Sequence, residues 1–180
     1  MSEDLVVTGA VERRLVEQEH HHLREGLGRL GDLIANWPWL SAEDALDGLV
    51  RELHWTQADV APHFAWERTW VYPELDRQGG SPWVTRTVRF RQQRLLREMG
   101  ELEEARQRLT ADWNRPQRQA VGLALATLHA GLVAHIDDVQ HLLECLDEPR
   151  HGAAHAGPAA SDPSAADPSP TAPPTIPAKA

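Results

Sequence analysis

The stretch PHFAWERTWVYPEL, Pro62 to Leu75, sets an imidazole and a carboxylate one helical turn apart, His63 and Glu67, among tryptophans. Residues at i and i+4 share a helix face. A core-facing helix seldom carries such a pair, because burying either group costs free energy unless it finds a partner. A metal ion is one partner that satisfies both. The other reading is a solvated pair on an exposed face, and the neighbouring segments decide between them.

The pair continues an apolar stripe. Leu46, Leu49, Leu53, Val60, His63 and Glu67 fall on one side of a helix that opens at Ser41, with Asp44 three residues on as a variant capping box, and ends at Gly79 and Gly80. Pro62 removes a backbone donor and is expected to bend this helix just before the His–Glu pair. Upstream, a helix from about Ala10 to Asn36 aligns Val16, His20, Leu23, Leu27, Leu30 and Ile34, and NWPWLS ends it. Downstream, a third helix opens with Ser81 as cap and Pro82 at its first position, and turns Val84, Val88, Gln92, Leu95, Met99 and Leu102 inward. Arg86, Arg89, Arg94 and Arg97 form its solvated outer face. A fourth, from about Pro116 to Leu146, turns Val121, Leu125, Leu128, Leu132, His135, Val139, Leu142 and Leu146 inward. No segment reads as a strand. Four long helices on short loops predict an all-α, antiparallel up-down four-helix bundle over residues 1–148. From Pro149 the chain is almost entirely Ala, Pro, Ser and Gly, without apolar periodicity. Residues 149–180, with His151 and His155, therefore read as a disordered tail.

Bulk properties narrow the function. A net charge of −9 and a pI near 5.5 argue against nucleic acid as a partner. No apolar run reads as the ~20 residues that span a bilayer, so no membrane is expected. The start, MSEDLVVTGAVERR, lacks a basic and apolar leader. The single cysteine, Cys145, excludes an intrachain disulfide, fits a reducing cytoplasm and reads as a core filler near a helix end.

The chain also carries an internal repeat. The offset that places Val16 on Val88 also places Leu23 on Leu95, Leu27 on Met99, Leu53 on Leu125 and His63 on His135, without a gap. A duplicated helical hairpin is a reasonable origin for such a bundle. Under the same offset His20 falls on Gln92 and Glu67 on Val139.

His20, His63, Glu67 and His135 thus lie on the apolar stripes of three helices and point at the bundle axis. Bundle-core metal sites are built from ligands on facing helices. Imidazole suits iron, copper or zinc, and a carboxylate adds the hard oxygen that iron and manganese accept. These four are the candidate metal ligands. His21, rotated about 100° from His20, together with Gln92 and His129, are candidates to support them. Trp66, Trp70 and Tyr72 are candidates for an apolar pocket wall, against the plainer reading of core packing and interface anchoring.

These residues resemble the hemerythrin-like, HHE cation-binding family over roughly residues 10 to 147. The resemblance rests on EHHHLREGL, on LHWTQADVAPHFAWERTWVYPEL with its His, Glu at +4 and aromatic–Pro–x–Leu ending, and on LATLHAGLVAHIDDV around His135. It implies a four-helix bundle holding two non-haem irons through histidines of all four helices and bridging carboxylates, in proteins that handle dioxygen, peroxide or nitric oxide or sense iron and redox state. By correspondence, one iron keeps His20, His63 and Glu67. The other keeps His135 alone, because Gln92 stands at the third-helix histidine and Val139 at the second carboxylate. Three readings follow: a mononuclear non-haem iron oxidoreductase acting on dioxygen, peroxide or a small substrate; a haem site with His63 or His135 as axial ligand; and a metal-free regulatory bundle or a sensor of oxygen, nitric oxide or redox state.

Overall fold

A computed structural model of the chain describes residues 13–109 and 113–147. The expected tail at 149–180 and the first turn expected from Ala10 lie outside them. The described residues form four rods and no strand. The first is α1 (Arg13–Asn36). The second runs through α2 (Ala42–Trp55), a π-helical segment (Thr56–Val60), α3 (Ala61–Trp66), a second π-helical segment (Glu67–Val71) and α4 (Tyr72–Gly79). The third is α5 (Arg86–Arg108) and the fourth α6 (Arg115–Asp147). α1 packs on α2 and α6, and α5 on α2 and α6, which closes an antiparallel four-helix bundle.

The rod ends follow from local chemistry. Ser41 accepts the amide of Asp44 at 3.0 Å and caps α2. Gly80, at φ 70°, closes α4 in the left-handed conformation that glycine adopts without a Cβ clash. The third rod starts later than expected. Residues 81–84 form a turn in which Ser81 Oγ accepts the amide of Trp83, and Thr85 precedes the helix. Asp76 replaces Ser81 as the anchor, accepting the Thr85 amide and hydroxyl, both at 3.0 Å, and Arg89 Nη2 at 3.2 Å. At the opposite end Trp37 Nε1 donates to the Arg118 carbonyl at 2.9 Å, while Arg118 Nη2 donates to the carbonyls of Trp37 and Leu40.

Both prolines of the second rod follow a widened turn. The amide of Ala61 bonds the carbonyl of Thr56, and that of Tyr72 bonds the carbonyl of Glu67, each five residues back. A proline ring clashes with the carbonyl four residues before it. Opening the ladder just ahead of Pro62 and Pro73 relieves that clash and lets the rod run on.

Two further expectations change. Cys145 is exposed, with Sγ 3.5 Å from His141 Nε2, because the inward position near the end of α6 falls to Leu143. And α6 is, by length and composition, apolar enough to cross a membrane, with a mean hydropathy of 1.4 over its most apolar window. Its many Ala residues raise that figure, while Val121, Leu125, Leu128, Leu132, Ile136 and Val139 are buried in the bundle.

Close approach of α1 and α2 depends on Gly26. A Cβ there would stand 2.1 Å from the Trp55 ring, which also carries the Arg29 guanidinium at 5.9 Å. Gly26→Ala is expected to cost about 1–3 kcal/mol through overpacking, read as a lower urea midpoint at unchanged slope. A variant as stable as the parent would show that Trp55 moves aside freely.

Candidate metal centre

One polar layer crosses the bundle between two apolar clusters. On one side lies the larger cluster, including Leu27, Leu49, Phe64, Leu95 and Leu128. On the other lies a smaller one of Val16, Val71, Tyr72, Leu75, Val88, Val139 and Leu143. All four rods supply the layer: His20 from α1, His63 and Glu67 from the second rod, Gln92 from α5 and His135 from α6. Each is buried, and Glu67, Gln92 and His135 have no accessible surface.

Glu67 is the hub, and its two oxygens face different partners. His20 Nε2 lies 3.1 Å from Oε1. His63 Nε2 lies 3.2 Å from the same oxygen, within ion-pair range but misaligned for a hydrogen bond. Oε2 is approached by His135 Nε2 at 3.0 Å, Tyr72 OH at 2.8 Å and Gln92 Nε2 at 2.6 Å. Gln92 Nε2 also donates to the Tyr72 hydroxyl at 2.8 Å. A carboxylate only accepts, so His135 Nε2 carries a proton and donates, while its Nδ1 has no hydrogen-bond partner.

Charge follows from this cage. Burial alone would raise the Glu67 pKa, but the imidazoles of His135, His20 and His63 override it and hold the carboxylate well below its ordinary range. Burial lowers the His20 pKa against the pull of Glu67. Burial, and then the Glu67 charge, push the Tyr72 phenol up, so it stays a donor at any physiological pH.

His20, His63 and Glu67 each offer a ligand atom, and the three atoms lie within 4.8 Å of one another. Cis ligands ~2.1 Å from a shared octahedral ion stand about 3 Å apart, which the two imidazole–Oε1 separations match. Neither ring nitrogen of His63 has a hydrogen-bond partner, as expected of a nitrogen kept for a cation. Two imidazoles and one carboxylate form a donor set that suits divalent iron. His135 stands across the carboxylate from this trio, on Oε2.

The remaining candidates divide. Tyr72 and Gln92 join the layer, and Trp66 packs half-buried against His63 with ring centroids 5.7 Å apart. His21 and Trp70 do not reach it. The His21 side chain is 79% exposed beside Glu25, and Trp70 is 62% exposed. His129 lines a separate groove of about 320 Å³ between α1 and α6, with Arg24, Asp32 and Asp137. One participant escaped the stripe analysis. Glu19 Oε2 lies 3.8 Å from His63 Nδ1, on the side away from the trio, within ion-pair range but beyond hydrogen-bond reach. Its signal was adjacency to His20 alone.

With this geometry in hand, comparison with known families is decisive: residues 12–145 match the hemerythrin HHE cation binding domain. The chain belongs to that family. Neither a curated protein nor a solved structure matches it significantly. In this HHE domain the acidic hub is a single glutamate. Val139, which the internal repeat aligns with Glu67, is buried in the smaller apolar cluster.

The layer makes the metal-free protein acid-sensitive. Unfolded His20 protonates near its ordinary value of 6.5 and folded His20 only at lower pH. Unfolded Glu67 protonates near 4.5 and folded Glu67 only well below it. In both windows the unfolded chain binds more protons, so stability falls as pH falls. Metal-free protein is expected to melt progressively lower from about pH 6.5 downward, and a melting temperature flat to about pH 4 would contradict the buried charge arrangement.

Proposed function

We propose that the chain binds one iron ion through His20, His63 and Glu67 Oε1 and serves as a non-haem oxidoreductase acting on dioxygen, peroxide or a small substrate. The observation that carries this is the convergence of two imidazole nitrogens and one carboxylate oxygen in a dry layer of an HHE domain. Bound iron would supply a Lewis acid and a one-electron couple. The surroundings of Glu67 favour one ion. A carboxylate oxygen offers about two lone pairs, and three donors already approach Oε2. Oε1 is approached only by His20 and His63, themselves the proposed ligands, so it is the oxygen that can pair with a cation, which supports a single ion rather than two.

Haem fits less well. His63 is flanked by His20 and Trp66 at ring-centroid distances of 5.2 and 5.7 Å, and His135 by Phe64 at 4.8 Å. These contacts occupy the space a macrocycle would need. The metal-free regulatory reading has one observation in its favour: hydrogen bonds already engage both oxygens of Glu67 without an ion.

Metal analysis with an optical spectrum separates the three. The expected result after anaerobic loading with ferrous iron is one iron per chain, no Soret band, and a melting temperature lowered by chelation. His63→Ala is expected to weaken iron binding at least about tenfold, as loss of a ligand or its support does, whereas His21→Ala and His151→Ala leave it unchanged. Equal behaviour of all three variants would remove the site from this layer.

A further inference from the structure

Resting on the reading of iron held at Glu67 Oε1, we propose that Tyr72, Gln92 and His135 act as a hydrogen-bond cap on Oε2 that raises the reduction potential of the bound metal and holds it in the divalent state. The three donors approach one oxygen from three rods, at 2.8, 2.6 and 3.0 Å. The charge of a carboxylate is shared between its oxygens. Each donor on Oε2 draws charge from Oε1 and makes that oxygen a weaker anionic ligand. A weaker anionic ligand stabilises a trivalent ion less than it stabilises a divalent one, so the potential rises. Partners of this kind, which touch the ligand and not the metal, tune metal sites generally.

The cap is built to stay in place. Tyr72 and Gln92 have no accessible surface, and the Gln92 amide bonds both Oε2 and the Tyr72 hydroxyl, closing a triangle. The Arg89 guanidinium lies 4.9 Å from the centre of the Tyr72 ring and is itself held by Asp76 and the Thr85 hydroxyl. Neither the phenol nor the amide changes charge in the physiological range, so their pull on the carboxylate is constant. The widened turn at Glu67–Val71 places the phenol: it brings the residue five positions on over the glutamate. None of the three contacts the proposed ion; they are positioning residues for its charge state.

Redox titration of the iron-loaded full chain tests this, with the iron content of each sample measured alongside. Tyr72→Phe and Gln92→Leu are compared with the parent and with Gln93→Leu, an exposed neighbour outside the layer. The expected result is one iron per chain throughout, and a midpoint that falls in each cap variant. The fall should correspond to about tenfold tighter ferric relative to ferrous binding, which is about 59 mV for a one-electron couple. Gln93→Leu should match the parent. If Gln92→Leu loses iron, the single-oxygen deletion in Tyr72→Phe decides alone. Midpoints that stay at the parent value, or rise, in iron-retaining variants overturn the cap while leaving the iron site standing. A parent chain that takes up no iron overturns both.

Discussion

A carboxylate without access to water sits at the centre of this bundle, and the layer around it exists on its terms. Stripping a charge of hydration costs several kcal/mol even after relaxation, and the cost is met only when the lone pairs are engaged. Glu67 achieves this with groups from all four rods: His20, Tyr72, Gln92 and His135 by hydrogen bond and His63 by ion-pair contact. The requirement is mutual. His20 and His135 are buried polar groups that would be unsatisfied without the carboxylate, and Gln92 would keep only the Tyr72 hydroxyl. The register of each rod is therefore set by a polar contact, where leucines alone would tolerate a slip. Removing the carboxylate would strand the others, so the layer stands or fails as a unit.

The second rod shows how backbone irregularity serves that layer. In an unbroken α-helix the neighbours of Glu67 on its own face are Trp70 and Val71. Tyr72 would lie about 140° away. The π-helical segment at Glu67–Val71 replaces Trp70 with Tyr72 as the inward residue: Val71 and Tyr72 are fully buried, and Trp70 faces solvent. A proline that might have been only a helix breaker thus accompanies the change of register that delivers a phenol to the carboxylate. Such widened turns occur often at functional sites.

Much of this was legible in the residues. The stripes placed His20, His63, Glu67, Gln92 and His135 inward, because periodicity reports the buried face of a regular helix. Ser41 and Gly80 announced their caps by type. What escaped, Cys145 aside, depends on geometry outside the regular helix. The outward turn of Trp70 and the reach of Tyr72 need the widened turn. The approach of Glu19 to His63 needs the packing of α1 against α3, which no single-helix pattern encodes. The start of α5 depended on Asp76, an acid from the preceding helix, more than on Ser81 within the loop. Cys145 lay one face away from the core because Leu143 holds the inward position.

The polar layer also divides the interior unequally. Beyond it, toward the start of α1 and the end of α6, lies only the smaller cluster from Val16 to Leu143, while the larger one fills the rest. Cooperative opening costs least where the fewest apolar contacts must part. The bundle therefore has a harder end and a softer end. The imidazoles border that end, so the smaller cluster is the thinner apolar barrier between them and solvent.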